Sequence, residues 1–118
     1  MKIAVIGIGY VGLSSAVLIS QKHQVIAYDI DSSRVEKLNK KISPIADSEI
    51  ENFLQTKKLK LSATTNIKKA LAGADFIIIA TPTNYDVKTN CFNTDSVKTV
   101  IKDSIKINPS ALIVIKST

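Results

Sequence analysis

Three glycines near the amino terminus have a spacing with chemical consequences. Gly7, Gly9 and Gly12 lie between an apolar run at residues 2–8 and an amphipathic run at residues 10–22. Glycine weakens the interior of a strand or a helix, so its repetition here indicates a tight turn that another group approaches closely. A strand–turn–helix unit with the spacing G-x-G-x-x-G directs free amides from the positive end of the helix and is typical of a pyrophosphate-binding turn.

Each position in this turn has its own expected role. Gly7 permits the turn, Gly9 lets a pyrophosphate approach the backbone, and Gly12 lets the helix pack closely on the strand. We expect the amides of Tyr10, Val11 and Gly12 to face the phosphates of a bound dinucleotide. All five residues are therefore candidates for cofactor binding.

An acidic residue follows at the distance that a dinucleotide site requires. Asp29 ends the second predicted strand, about 20 residues after Gly9. A carboxylate there accepts hydrogen bonds from the adenosine ribose hydroxyls of NAD and repels the 2′-phosphate of NADP. Arg34 leaves an alternative open, because its guanidinium could receive a 2′-phosphate, lie over the adenine or bridge the ribose. We expect NAD as the cofactor, with NADP as the alternative.

Small hydroxyl residues follow two later strands, in the segments "ATPT" and "KST". In a doubly wound sheet, the carboxyl ends of the first, fourth and fifth strands meet where the strand order reverses. We therefore expect Thr81, Thr83, Ser117 and Thr118 to lie near the nicotinamide half of the cofactor, where small side chains leave the hydride path open.

The remaining reactive side chains do not suggest a second centre. Cys91 lies in a polar loop without a candidate base, and a thiol must be ionised to act as a nucleophile. His23 is the only histidine and follows the first predicted helix, where a cation is favourable. We expect Cys91 to be a bystander thiol and no metal to bind, because no metal-ligand spacing occurs.

The elements that must position these residues alternate along the chain. The predicted strands cover residues 2–8, 24–29, 59–64, 75–81 and 111–116, and the predicted helices cover residues 10–22, 32–41, 47–55, 66–73 and 95–107. This alternation predicts a Rossmann-type α/β fold, a doubly wound parallel sheet with helices on both faces. The strand at 75–81 is expected to be central and that at 59–64 to lie nearer an edge. Ser33 and Glu36 are expected to form a capping box.

The composition limits the classes of protein to which this chain could belong. The formal net charge is +6, but the lysines are spread along the chain, and no nucleic-acid motif accompanies them. They therefore indicate a solvated surface, and we expect no nucleic-acid partner. No apolar run approaches the roughly 18 residues that span a bilayer. The single cysteine fits a reducing compartment. We expect a cytoplasmic protein without membrane contact, and a single domain over residues 1–118.

Six segments together resemble one enzyme family. They include "MKIAVIGIGYVGL", "SPI", "ADFIIIATPTNYD" and "ALIVIKST", and in order they cover essentially the whole chain. They are similar to the amino-terminal NAD-binding domain of the UDP-glucose 6-dehydrogenases, within the UDP-glucose/GDP-mannose dehydrogenase family. The G-Y-V-G-L form of the glycine turn, combined with A-T-P-T and K-S-T, is more specific than a general dinucleotide motif.

The resemblance implies roles for particular residues. NAD contacts would fall on Val11, Asp29, Arg34, Thr83 and Thr118. Thr118 would also lie beside the catalytic centre and help to position a water, which makes it the one catalytic candidate in this sequence. Family members oxidise UDP-glucose to UDP-glucuronate in two NAD-dependent steps, through a thiohemiacetal and then a thioester on a cysteine.

The resemblance also implies what this chain lacks. In the family, the nucleophilic cysteine and the sugar-nucleotide site lie in later segments, and Cys91 stands where relatives commonly carry an aromatic residue. We therefore expect a chain that ends after about the fifth strand of a longer enzyme and binds cofactor without catalysis. The full-length enzyme would be a homodimer. The alternatives are a dehydrogenase of UDP-N-acetylmannosamine or GDP-mannose, and a stand-alone NAD-sensing module.

Overall fold

The computed structural model describes residues 2–43, 48–56, 58–80, 84–86, 91–93 and 95–116. In chain order the elements are β1 (Lys2–Ile6), α1 (Tyr10–Ile19), β2 (Gln24–Tyr28), α2 (Ser32–Asn39), α3 (Ser48–Thr56), β3 (Leu61–Thr64), α4 (Ile67–Leu71), β4 (Phe76–Ile79), β5 (Asn84–Asp86), β6 (Cys91–Asn93), α5 (Asp95–Ile107) and β7 (Leu112–Ile115).

Five of these strands form one parallel sheet. Its order is β3-β2-β1-β4-β7. β2 and then β3 lie on one side of β1, whereas β4 and then β7 lie on its other side. The order reverses between β1 and β4, which is where α/β sheets of this kind bind ligands. The prediction of a doubly wound parallel sheet is confirmed, and β3 is the edge strand that its lower apolar content indicated.

β1 is buried on both of its faces, which explains why it is continuously apolar rather than alternating. Ala4 and Ile6 belong to a core cluster that includes Ala70 and Leu71 of α4 and Val100 of α5. On the opposite face, Ile3 and Val5 pack with Ala16 of α1. A third cluster continues that face outward to α2 and α3; it contains Leu13, Val17, Ala27, Val35, Leu38, Ile50 and Leu54.

The observed elements are shorter than several of the predicted ones. The first helix ends at Ile19 rather than at residue 22, because the amides of Lys22 and His23 both donate to the Ile19 carbonyl, at 3.1 and 3.0 Å, and close a turn. Pattern alone does not distinguish such a turn from another turn of helix.

The predicted capping box at Ser33 is wrong. The helix α2 begins at Ser32, and its N-cap is Asp31, whose side chain accepts hydrogen bonds from the amides of Ser33 and Arg34. Glu36 pairs instead with Lys40, one turn further along the exposed face, at 3.1 Å. An aspartate already satisfies the free amides at this end, so no box is needed.

The segment predicted as a polar loop after β4 contains two short strands. β5 and β6 pair antiparallel, in a register that sets Tyr85 opposite Phe92. Strands of three residues are too short for a period of two to be recognised in the sequence. No helix in the described part of the chain is long and apolar enough to cross a membrane.

Candidate cofactor-binding site

The turn after β1 requires a glycine at its first position. Gly7 has φ +104°, a conformation that L-residues with a side chain rarely adopt. Its amide donates to the Tyr28 carbonyl at 2.7 Å, which ties the end of β1 to the end of β2. The chain therefore leaves the sheet in a fixed direction at its carboxyl edge.

Gly12 is needed for a different reason, namely the contact between α1 and this turn. A Cβ atom built on Gly12 would lie 1.8 Å from the Gly7 carbonyl oxygen and 3.3 Å from the Ala80 Cβ. The first turn of α1 thus lies directly against the backbone of the preceding turn and against the end of β4. This close approach fixes the position of the helix amino terminus at the edge where the strand order reverses.

Gly9 lies at the N-cap of α1 and faces open space. A Cβ atom on Gly9 would meet no atom of the described residues within 4 Å, and its backbone is extended, with φ −88° and ψ −169°. The Gly9 carbonyl accepts from the Leu13 amide at 2.9 Å. The earlier amides of α1 precede the first intrahelical bond, and Gly9 has no side chain that could accept from them. Open space above such amides fits a phosphate group.

Asp29 joins the ends of the first two strands. The side chain is buried, and its Oδ2 accepts from the Ile8 amide at 2.8 Å while its Oδ1 accepts from the Asp31 amide at 2.9 Å. A carboxylate has about four acceptor positions, so capacity remains for two ribose hydroxyls. The sequence predicted Asp29 as a site residue but not its hydrogen bonds to the two turns. The bond from the Asp31 amide could have been predicted, because an aspartate that accepts from the amide two residues later is typical of an Asx turn.

Replacing Asp29 by alanine should therefore weaken the fold as well as the site. The Ile8 amide belongs to a residue only 1% exposed and would lose its acceptor, which costs about 1–3 kcal/mol of unfolding free energy. Urea denaturation followed by circular dichroism measures this. Asp75→Ala is the matched control, because Asp75 accepts from the Lys2 amide at 3.0 Å in an exposed setting. Equal losses in the two variants would contradict the bridging role.

Arg34 lies beside Asp29 on the first turn of α2. Its Nη1 is 3.4 Å from the Ile8 carbonyl oxygen and 3.8 Å from Asp29 Oδ2, and its Nε is 3.8 Å from Asp31 Oδ2. The Arg34 side chain is 47% exposed and Asp29 only 11%. The guanidinium therefore lies beside the Asp29 carboxylate and within ion-pair distance of two acidic groups.

The structure brings together one group of the predicted site residues and does not describe the other. Those at the carboxyl ends of β1 and β2 are Gly7, Gly9, Tyr10, Val11, Gly12, Asp29 and Arg34. Thr81, Thr83, Ser117 and Thr118 lie outside the described residues. Their described neighbours are in register with the site: the Ala80 amide donates to the Ile6 carbonyl at 2.8 Å, and the Lys116 amide donates to the Ile79 carbonyl at 2.8 Å.

A second concave surface lies at the opposite end of the sheet. It is a cleft of about 670 Å³ at the amino ends of β1, β2 and β3, lined by Lys2, Lys22, His23 and Lys60 among others. Parallel α/β sheets, however, bind ligands at the carboxyl ends of their strands. We therefore assign the candidate site to the glycine turn. Among the described residues, no group of three His, Cys, Asp or Glu side chains could hold a metal ion.

The sequence matches one family over its full length. Residues 1–118 match the UDP-glucose/GDP-mannose dehydrogenase family, NAD binding domain. The chain is 47% identical to a UDP-glucose 6-dehydrogenase from Campylobacter jejuni and 48% identical to one from Streptococcus pneumoniae. Each alignment covers 100% of this chain and 30% of the relative, so the chain spans less than a third of the curated relatives it matches.

Solved structures agree with this relationship. A GDP-mannose dehydrogenase from Pseudomonas aeruginosa superposes with a TM-score of 0.87 at 30% identity, covering 100% of this chain and 28% of that one. A UDP-D-ManNAc dehydrogenase from Pyrococcus horikoshii superposes with a TM-score of 0.87 at 28% identity, with the same coverage of each chain. Together with the glycine turn and Asp29, these matches confirm the resemblance: the chain belongs to the UDP-glucose/GDP-mannose dehydrogenase family and matches its NAD-binding domain.

Proposed function

We propose that this chain is the cofactor-binding part of an NAD-dependent UDP-glucose 6-dehydrogenase. The observation that carries the proposal is the glycine turn, in which Gly12 holds the helix against Gly7 while the space above Gly9 stays open. The two relatives at 47% and 48% identity, both named as UDP-glucose 6-dehydrogenases, support UDP-glucose as the substrate of the whole protein.

The residues of this domain would bind and orient the cofactor. The amides of Tyr10, Val11 and Gly12 would bind its pyrophosphate at the positive end of α1. Asp29 would accept from the adenosine ribose hydroxyls through its two remaining acceptor positions. Arg34 would close the outer side of the ribose, where it already lies next to Asp29.

The nicotinamide half would lie toward β4 and β7. We propose that Thr81, Thr83, Ser117 and Thr118 contact it, and that Thr118 lies beside the reacting centre. Support comes from the register of the preceding residues, since Ile79 pairs with Ile115 and both strands end at the edge that carries the glycine turn. NAD supplies the hydride acceptor when bound, and oxidising a primary alcohol to a carboxylate requires two molecules of it.

Other properties of the whole protein are proposed with it. The catalytic cysteine, the sugar-nucleotide site and a homodimer interface would lie in the part of the relatives that this chain does not span. A cytoplasmic location is supported by the single cysteine and by the use of NAD. GDP-mannose and UDP-N-acetylmannosamine remain the alternative substrates, favoured by the two superposed structures but at 30% and 28% identity only.

The cofactor part of the proposal is tested by titrating the 118-residue chain with NADH and following NADH fluorescence. We expect saturable binding of NADH that is tighter than binding of NADPH, because the Asp29 carboxylate repels a 2′-phosphate. Absence of saturable NADH binding, or tighter binding of NADPH, would contradict it. The substrate is tested separately on the parent protein, which should form two NADH per UDP-glucose and oxidise GDP-mannose and UDP-N-acetylmannosamine far more slowly.

A further inference from the structure

We propose that Asp31 is a specificity-determining residue, which selects NAD over NADP by holding the Arg34 guanidinium against the ribose-binding carboxylate. The inference rests on the proposed function, namely that the adenosine ribose lies at Asp29. Asp31 would act through Arg34 and is therefore a positioning residue.

The starting point is that this chain carries a residue suited to a 2′-phosphate. An arginine shortly after the ribose-binding acid is the kind of residue that accommodates the 2′-phosphate of NADP. Arg34 lies within ion-pair distance of Asp29, at 3.8 Å, so it is close to where the ribose hydroxyls would lie. The position of Arg34, taken alone, would favour NADP as the cofactor.

The acceptors around Arg34 explain why it does not act in that way. The guanidinium faces Asp29 Oδ2 at 3.8 Å through Nη1 and Asp31 Oδ2 at 3.8 Å through Nε, and Nη1 also donates to the Ile8 carbonyl at 3.4 Å. Two carboxylates thus surround one cation. A 2′-phosphate would have to draw Arg34 away from both of them, whereas a ribose hydroxyl would not.

Asp31 performs two separable tasks with its two oxygens. Its Oδ1 accepts from the amides of Ser33 and Arg34, at 2.9 and 3.4 Å, and caps α2. Its Oδ2 is the atom that faces Arg34 Nε. Asparagine keeps an acceptor oxygen for the cap and is as good an N-cap as aspartate, but it carries no charge. The substitution Asp31→Asn therefore removes the ion pair and retains the cap.

The test compares dissociation constants for NADH and NADPH in four chains: wild type, Asp31→Asn, Arg34→Gln and the double variant. We expect Asp31→Asn to shift the NADPH-to-NADH ratio of Kd values by about fivefold toward NADPH, the upper end of what an exposed ion pair contributes. In the Arg34→Gln background the same change should shift that ratio by less than about twofold, because the residue through which Asp31 acts is gone. Asp75→Asn, at the other end of the sheet, controls for net charge.

Each other result has a distinct meaning. An equal loss of affinity for both cofactors in Asp31→Asn would show a structural role alone and overturn the inference. A full fivefold shift that persists in the Arg34→Gln background would show direct repulsion by Asp31 and also overturn it. If the wild-type chain binds no NADH, the proposed function fails and the inference falls with it. If it binds NADH and the ratio is unchanged in Asp31→Asn, the inference alone fails.

Discussion

Gly12→Ala should destabilise the fold more than any other single change in the glycine turn. A Cβ atom at this position would lie 1.8 Å from the Gly7 carbonyl oxygen, so either α1 or the turn must move. The turn cannot move freely, because the Gly7 amide donates a hydrogen bond to the Tyr28 carbonyl at the end of β2. The helix cannot move freely either, because the added Cβ would also lie 3.3 Å from the Ala80 Cβ. We expect a loss of about 3 kcal/mol or more of unfolding free energy, the upper range for an overpacked core.

Urea denaturation followed by circular dichroism measures this loss, and Gly9→Ala is the matched control in the same turn. Gly9 has an extended backbone that alanine can adopt, and its Cβ would meet no described atom within 4 Å. Its cost should stay within about 1 kcal/mol, the difference between glycine and alanine at an N-cap. A Gly12→Ala chain that fails to fold agrees with the prediction, whereas one as stable as Gly9→Ala contradicts it.

Gly9→Ala should lower the affinity for the cofactor and leave the fold intact, in contrast to Gly12→Ala, which is expected to destabilise the fold. The added methyl group would occupy the open space over the first amides of α1, where the pyrophosphate is proposed to lie. A clash of this kind costs about 1–3 kcal/mol. That range corresponds to a roughly 5- to 150-fold increase in the Kd for NADH.

The measurement is the NADH fluorescence titration applied to wild type, Gly9→Ala and Ser14→Ala. Ser14 lies one turn after Tyr10 in α1 and is half-buried, so its substitution tests for general disturbance of the helix. We expect the Kd to rise only in Gly9→Ala. A Gly9→Ala chain that binds NADH as tightly as Ser14→Ala would show that the pyrophosphate lies elsewhere.

The fold was predictable because the strands at the centre of its sheet, β1 and β4, are continuously apolar. Continuous apolar runs such as residues 2–8 and 75–81 have few alternatives in a chain that also has helical patterns between them. The strand ends were less predictable, since Gly7 and Ile8 continue the apolar run of β1 but belong to the turn. A hydrophobic pattern does not indicate at which residue the backbone hydrogen bonds between strands end.

The glycine turn was predictable, whereas the contacts of Asp29 and Arg34 were not. Glycine spacing identified Gly7 and Gly12, which the backbone geometry of the turn requires, and that geometry depends on local sequence. Asp29 accepts a hydrogen bond from the Ile8 amide, 21 residues away in sequence, and Arg34 donates to the Ile8 carbonyl, 26 residues away. Only the folded sheet brings these residues close together. This is why the sequence left the role of Arg34 open among three possibilities.

The most direct test of the account is to record ¹H–¹⁵N spectra of the chain during titration with NADH. The account predicts that the amide shifts concentrate at residues 7–12 and 29–34, with little change at the amino ends of the strands. Shifts centred on Lys22 and Lys60, which line the cleft at the other end of the sheet, would contradict it if residues 7–12 stayed unchanged.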